Sequence, residues 1–204
     1  MKLLSVDFQN DFVSKGGLAY RPRACVHFIG EVLLPWLRAH DTRLAEIVSD
    51  YRLPRPGDEF ECCVPGTWGY ASRMPDDQKL ADIWVKCMNS PEWVRDNGGD
   101  AGRSPGLPRP DPASFSAWLR RALGAPEEAG AVVLVGLTLD CCVLCTAQSL
   151  AHRAYDVRYL VEGVDTFDGS AGEKEHLLRT AAANWGKAMT WDECRLELER
   201  GAAA

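Results

Sequence analysis

The sequence lacks any apolar run long enough to cross a membrane. The longest such run, residues 129–137, has 9 residues and contains two glycines, whereas a membrane-spanning helix needs about 20. The N-terminal segment reaches the acidic residue Asp7 before an apolar stretch of signal-peptide length can form. We therefore predict no membrane partner and no secretory signal.

Positive charge is also scarce. The chain carries 23 Lys and Arg residues against 29 Asp and Glu residues, which gives a formal net charge of −6. Nucleic-acid-binding proteins usually present a basic surface, so we predict no nucleic-acid partner. A chain of 204 residues with 46% hydrophobic content suits a single domain over residues 1–204.

Cysteine, in contrast, is abundant. The eight cysteines include two adjacent pairs, at positions 62–63 and 141–142, and no repeated C-x-x-C pairs. This spacing does not indicate a zinc framework or a set of disulfides. We predict a cytoplasmic protein in which most of the thiols are reduced and buried.

Short apolar runs alternate with amphipathic stretches, a pattern that predicts a parallel sheet covered by helices. The expected fold class is α/β, with a three-layer, doubly wound, mostly parallel six-stranded sheet and helices on both faces. The predicted strands are residues 3–7, 44–50, 83–86, 132–136, 157–161 and 187–190. The predicted helices are residues 23–39, 77–80, 115–123, 142–153, 173–184 and 191–199.

Reactive side chains follow four of these strands. Asp7, Asp50, Lys86 and the segment 136–142 stand at predicted carboxyl ends, where open parallel sheets bind ligands. Each residue alone has an ordinary interpretation, as a turn residue, a solvated strand end or a packing thiol. Together they indicate a site, because Cys142 also opens a helix, whose N-terminus favours a thiolate and binds anions.

The positions of the few histidines limit which residues can activate the Cys142 thiol. All four lie within or at the end of predicted helices: His27, His40, His152 and His176. A Cys–His pair is therefore not expected, although a thiol nucleophile needs a neighbouring base or cation. Asp7 as proton acceptor and Lys86 as cation remain the candidates for activating Cys142.

At these residues the sequence resembles the isochorismatase-like cysteine hydrolases, a superfamily that includes nicotinamidases, N-carbamoylsarcosine amidases and ureidoacrylate hydrolases. Four matching segments occur in the family's order: LLSVDFQNDF (3–12), VPGTWG (64–69), WVK (84–86) and GLTLDCCV (136–143). The similarity covers nearly the whole chain.

The resemblance implies a catalytic triad of Asp7, Lys86 and Cys142, with Cys141 at a packing position. It also implies a cis peptide bond before Thr138. The backbone N–H groups of Thr138 and Cys142 would then form an oxyanion hole.

The sequence departs from the family at the metal site of nicotinamidase-type members. Asp50 matches one metal ligand, but Arg52 stands at the next ligand position, in Asp-x-His, and Glu59 and Cys62 stand at the following ones. Arginine has no lone pair to donate to a metal, so we predict no metal and no cofactor. Arg52 would instead pair with Asp50 or clamp a substrate carboxylate.

A second departure is an extended loop at about residues 87–113. Its Gly- and Pro-rich part, residues 97–112, is interpreted either as a mobile flap over the site or as a disordered insertion. The candidate substrate-binding residues are Phe12, Arg52, Trp68 and Trp93.

The favoured function is metal-independent, cysteine-dependent hydrolysis of a C–N bond in a small amide, carbamoyl or ureido substrate, through a thioester intermediate. One alternative is an isochorismate-type vinyl-ether hydrolase, which needs the carboxylate and the lysine but no thiol. The other is a catalytically silent binding or scaffold protein. We also expect a small-molecule substrate and a homo-oligomer, either a dimer or a tetramer.

Overall fold

A computed structural model describes residues 1–202 of the chain. Its strands are β1 (Lys2–Val6), β2 (Ala45–Ser49), β3 (Trp84–Lys86), β4 (Trp93–Val94), β5 (Arg109–Pro110), β6 (Ala131–Leu137), β7 (Asp156–Asp165) and β8 (Lys187–Met189). Six of them form one parallel sheet in the order β3-β2-β1-β6-β7-β8. The strands β4 and β5 form a separate antiparallel pair.

Helices connect the strands of the main sheet. They are α1 (Asn10–Val13), α2 (Ala24–Phe28), α3 (Leu34–Ala39), α4 (Pro112–Leu123), α5 (Pro126–Ala129), α6 (Cys142–Ala151), α7 (Ala171–Arg179) and α8 (Trp191–Ala202). Within residues 1–202, no helix combines the length and apolar character needed to cross a membrane.

The predicted fold class is confirmed, and all six predicted strands of the sheet form. The predicted helix 23–39 contains a π-helical turn, Ile29–Leu33, between α2 and α3. Pro35 accounts for this turn, because a proline inside a helix lacks the N–H donor and its ring crowds the carbonyl four residues earlier. The predicted helix 173–184 is instead split, since α7 ends at Arg179 and a short 3-10 turn, Ala182–Asn184, follows.

The strand order at the centre of the sheet determines where a ligand site can form. The connections β1-β2-β3 run toward one edge and the strands β6, β7 and β8 toward the other, so the strand order reverses between β1 and β6. In open α/β sheets such a reversal opens a crevice at the carboxyl ends of the two strands.

Gly136 permits the close approach of β6 to β1 at this point. Its φ is +105°, and a Cβ atom there would lie 2.1 Å from the carbonyl oxygen of Val6. Only glycine fits such a position. The residues that follow these two strands, Asp7 on one side and the segment 138–142 on the other, are thereby brought together.

Candidate active site

The three residues of the expected triad meet at the carboxyl edge of the sheet. Asp7 directly follows β1, Lys86 ends β3, and Cys142 is the first residue of α6. The Lys86 Nζ atom lies 2.8 Å from Asp7 Oδ2 and 3.4 Å from Cys142 Sγ. Lys86 is completely buried, so the ammonium group is held within a fixed set of partners.

Two residues that the sequence analysis missed complete this cluster. Lys86 Nζ donates hydrogen bonds to Ser49 Oγ at 2.7 Å and to Tyr51 Oη at 2.6 Å. Ser49 Oγ donates in turn to Asp7 Oδ1 at 2.8 Å. Tyr51 Oη lies 3.1 Å from Cys142 Sγ, so the tyrosine hydroxyl contacts both the lysine and the thiol.

The alternation of side chains along an extended segment was a signal that could have revealed these residues. Successive side chains of a strand point to opposite sides, so Ser49 and Tyr51 share one side while Asp50 and Arg52 share the other. Asp50 is the site residue predicted from the sequence, because it closes the predicted strand 44–50. In the structure, the two neighbours of Asp50, Ser49 and Tyr51, are the residues that contact Lys86.

The protonation states follow from burial and from neighbouring charges. Burial lowers the pKa of Lys86, but Asp7 and Cys142 raise it more strongly, so the net shift is upward and the side chain stays an ammonium. A hydrogen bond with Cys141 and burial raise the pKa of Cys142 well above its usual value, against the effect of Lys86. Burial likewise raises the pKa of Tyr51. These effects favour the neutral thiol of Cys142, which would have to lose its proton to act as a nucleophile.

Asp7 contributes a buried carboxylate to this cluster. Its Oδ1 atom accepts the hydrogen bond from Ser49. Within residues 1–202, its Oδ2 atom accepts no hydrogen bond and is engaged only by the ion pair with Lys86. A buried carboxylate oxygen with a free lone pair is suited to general-base chemistry.

The turn between β6 and α6 presents backbone donors beside the thiol. The peptide bond between Leu137 and Thr138 is cis, and the Thr138 carbonyl accepts hydrogen bonds from the N–H groups of Cys141 and Val143, both at 3.0 Å. In the described chain, the backbone hydrogen bonds of this turn do not use the N–H groups of Thr138 and Cys142. These two donors are thus available to an incoming oxygen atom.

A cavity of about 650 Å³ opens onto this cluster. Its apolar wall includes Phe12, Leu18, Tyr51, Phe60 and Phe167, and its polar wall includes Arg21, Arg55, Asp58, Asn89 and Asp140. Phe12, a predicted substrate-binding residue, contacts the Tyr51 ring edge-on, with the ring centroids 6.4 Å apart. The volume and the mixed lining are typical of a small-molecule site.

The other two aromatic candidates do not line this cavity. Trp68 belongs to a short 3-10 turn beside α1, where its carbonyl accepts a hydrogen bond from the Asn10 side chain, and the residue is 56% exposed. Trp93 lies in β4, paired with Pro110 of β5. Each belongs to a local turn or hairpin outside the cavity lining, and contact of either residue with the substrate stays a prediction.

Arg52 is fully occupied by the protein itself. Its Nε and Nη2 atoms donate to the two oxygens of Asp50, at 2.9 and 2.6 Å. The remaining N–H groups donate to the backbone carbonyls of Asn97, Asp100 and Arg103, at 2.8 to 3.0 Å. A guanidinium has five N–H donors, so none is left for a substrate. Of the two alternatives for Arg52, the geometry favours the structural one.

The same contacts exclude a metal of the kind that nicotinamidase-type sites imply. Both oxygens of Asp50 are held by Arg52, and Oδ2 also accepts from the N–H group of Gly99 at 3.0 Å. Across residues 1–202, no group of three or more His, Cys, Asp and Glu side chains is placed to hold a metal ion. The residues present therefore do not fit the metal.

The loop 97–112 is fixed by Arg52 instead of covering the site. The two arginines of the loop form local ion pairs, Arg103 with Asp100 and Arg109 with Asp96 and Asp111. No residue of this loop lines the cavity. The backbone carbonyls of the loop are instead acceptors that satisfy a buried guanidinium.

Comparisons with solved structures agree with this architecture, whereas comparisons of the sequence found no match. No family model and no curated protein matches the sequence. Among solved structures, an isochorismatase-like hydrolase from Alkaliphilus metalliredigens has 21% identity over 97% of this chain and 98% of that one, with a TM-score of 0.66. A cysteine hydrolase from Pseudomonas syringae pv. phaseolicola has 14% identity over 98% and 92% of the two chains, with a TM-score of 0.66.

A third solved structure, the N-carbamoylsarcosine amidase from Thermoplasma acidophilum, has 19% identity over 93% and 95% of the two chains, with a TM-score of 0.56. These likenesses extend over nearly the full length of each protein. At such low identity, they establish a common architecture. The resemblance expected from the sequence motifs is therefore confirmed at the level of the fold: this chain has the fold of the isochorismatase-like hydrolases.

Proposed function

We propose that this protein is a cysteine-dependent hydrolase that cleaves a C–N bond in a small amide, carbamoyl or ureido substrate. The observation that carries this proposal is the placement of the Cys142 thiol, 3.4 Å from the ammonium of Lys86. That ammonium is paired with the Asp7 carboxylate at 2.8 Å, and both Asp7 and Cys142 line the cavity. Solved structures with the same fold include nicotinamidases and an N-carbamoylsarcosine amidase, which supports this reaction class.

The first half of the reaction forms a thioester. Asp7 takes the proton of the Cys142 thiol as the sulfur attacks the substrate carbonyl carbon. The tetrahedral intermediate collapses when Asp7 returns this proton to the substrate nitrogen. The C–N bond then breaks, and ammonia or an amine leaves.

The second half releases the acid. Asp7 takes a proton from a water molecule, whose oxygen attacks the thioester carbon. The C–S bond breaks, the sulfur regains a proton from Asp7, and the free thiol is restored. Lys86 remains an ammonium throughout and stabilises the negative charge on Asp7 and on the sulfur in turn.

The backbone N–H groups of Thr138 and Cys142 serve as donors to the oxyanion in both halves. A donor that contacts the developing oxyanion lowers the barrier by about 3–4 kcal/mol. Since both are backbone groups of one short turn, their position does not depend on side-chain rotamers.

We further propose that no metal takes part in this reaction. A pyrazinamidase from Pyrococcus horikoshii with this fold is described in complex with zinc. Here the guanidinium of Arg52 holds the Asp50 carboxylate, so the substrate must be oriented by the cavity wall and by the oxyanion donors.

The test is a panel of primary amides, N-carbamoyl amino acids and ureas, assayed for ammonia release with and without EDTA. We expect turnover of at least one class, unchanged by EDTA, and a mass increase on Cys142 when the reaction is quenched in acid. Turnover that EDTA abolishes would overturn the metal-independent mechanism. Hydrolysis of isochorismate by enzyme alkylated at Cys142 would support the vinyl-ether alternative, and absence of any turnover would support the silent binding protein.

Replacing Tyr51 with Phe should lower kcat about 10- to 100-fold, because a hydrogen bond to a charged group contributes about 1.5–3 kcal/mol. The variant loses the hydroxyl contacts to Lys86 and Cys142, while the ring remains in the cavity wall. We expect KM to change less than threefold and the alkylation of Cys142 at neutral pH to become slower. A change confined to KM, with the alkylation rate intact, would assign Tyr51 to substrate binding only.

A further inference from the structure

Arg55 is a buried cation in the cavity wall that the proposed reaction does not use. It lies beyond the end of β2, and only 7% of its surface is exposed. Its guanidinium carbon stacks 4.1 Å from the centroid of the Tyr51 ring. The hydroxyl of that ring contacts the sulfur of Cys142. Tyr51 therefore contacts both Arg55 and the thiol.

The hydrogen-bonding capacity of Arg55 is only partly used. Both partners found for it contact Nη2: the carboxylate of Asp58 at 2.5 Å and the carbonyl of Phe60 at 3.2 Å. In the described part of the chain, Nε has no hydrogen-bond partner and is shielded from water. Among the same residues, Nη1 also makes no hydrogen bond, but unlike Nε it is not completely shielded from solvent.

A partly satisfied guanidinium in a cavity wall is suited to an anionic acceptor. Leaving a buried donor unpaired is unfavourable, and a carboxylate satisfies two N–H groups of one guanidinium at once. The carboxylate of Asp58 is 40% exposed and engages the Nη2 atom alone, so it leaves the Nη1 group for a ligand. The stacking on Tyr51 limits the rotamers of Arg55 and fixes its direction.

We propose that Arg55 binds a carboxylate of the substrate, and that the substrates are amides, carbamoyl or ureido compounds that also carry a carboxylic acid. This inference rests on the proposed function of the same site. The apolar wall formed by Phe12, Phe60 and Phe167 and the volume of about 650 Å³ fit an acid with an apolar body better than urea or formamide.

The first test needs no substrate. Cys142 is alkylated with iodoacetate, an anion, and with the neutral iodoacetamide, and the two rates are compared by peptide mass. We expect Arg55→Gln to lower the iodoacetate-to-iodoacetamide rate ratio at least tenfold. Arg38→Gln, which removes one exposed charge outside the cavity lining, should leave the ratio unchanged. An equal rate ratio in the wild type and in Arg55→Gln would overturn the proposal. A rate ratio that falls in Arg21→Gln but not in Arg55→Gln would overturn it as well, because Arg21 also lines the cavity.

A second measurement uses only the wild-type protein, so it holds even if Arg55→Gln does not fold. 3-Phenylpropionate at millimolar concentration should slow the alkylation of Cys142 by iodoacetamide at least fivefold, and the neutral 3-phenylpropanol should not. Equal protection by the acid and the alcohol would show that the apolar wall alone binds the ligand, against the proposal.

Turnover separates this inference from the proposed function. N-carbamoylphenylalanine should be hydrolysed at least tenfold better in kcat/KM than its neutral N-methylamide, and Arg55→Gln should remove this preference mainly through KM. Equal turnover of the two compounds by the wild type would overturn the carboxylate subsite while the hydrolase function stands. Protection by 3-phenylpropionate without any turnover would leave the subsite supported and the hydrolase function refuted.

Discussion

Replacing Cys142 with Ala should lower kcat/KM at least about a thousandfold, because removing a nucleophile leaves only binding and oxyanion stabilisation. The variant should retain the fold, since the side chain is small and lies at the first position of α6. Ammonia release on the best substrate of the panel measures the loss, and thermal unfolding checks the fold. The mass increase on the active-site peptide after an acid quench should disappear as well.

The informative control is the adjacent thiol. Cys141 also lines the cavity, and its hydrogen bond with Cys142 lowers the pKa of Cys141. Lys86 and Tyr51, however, contact the sulfur of Cys142, so Cys141→Ala should keep activity within about tenfold of wild type. If Cys141→Ala were inactive and Cys142→Ala active, with both folded, the assignment of the nucleophile would be wrong.

The sequence was sufficient to predict the sheet and the residues that close its strands. Apolar runs bounded by turn residues reveal buried parallel strands, and the carboxyl ends of such strands meet at one edge. Asp7, Lys86 and Cys142 could be found in this way because each stands at, or just beyond, a strand end.

The contacts beyond the strand ends could not be predicted in the same way. Residues 50–64 have no regular periodicity, so the sequence does not tell which of Arg52 and Arg55 faces the cavity. The structure places Arg52 among the carbonyls of the loop 97–112 and Arg55 against the Tyr51 ring. The glycines and prolines of that loop suggested mobility, whereas its carbonyls are held by a side chain about 50 residues earlier.

Replacing Arg52 with Ala should destabilise the protein by about 3–5 kcal/mol, the usual effect of removing one partner of a buried ion pair. The carboxylate of Asp50 is completely buried and would lose its cationic partner. Three backbone carbonyls of the loop 97–112 would lose their donor as well. Urea unfolding followed by tryptophan fluorescence measures the change in the free energy of unfolding.

A double variant separates the buried charge from the lost contacts. Asp50→Asn combined with Arg52→Met removes both charges, so it should be less destabilising than the sum of the two single variants by about 1–3 kcal/mol.

Because all five donors of Arg52 are used within the protein, Arg52→Lys should keep kcat/KM within about threefold of wild type at temperatures where it is folded. A KM raised more than tenfold in folded Arg52→Lys, with stability unchanged, would instead make Arg52 a substrate clamp. The guanidinium would then have to exchange its loop carbonyls for a ligand carboxylate, and the loop 97–112 would have to move when substrate binds.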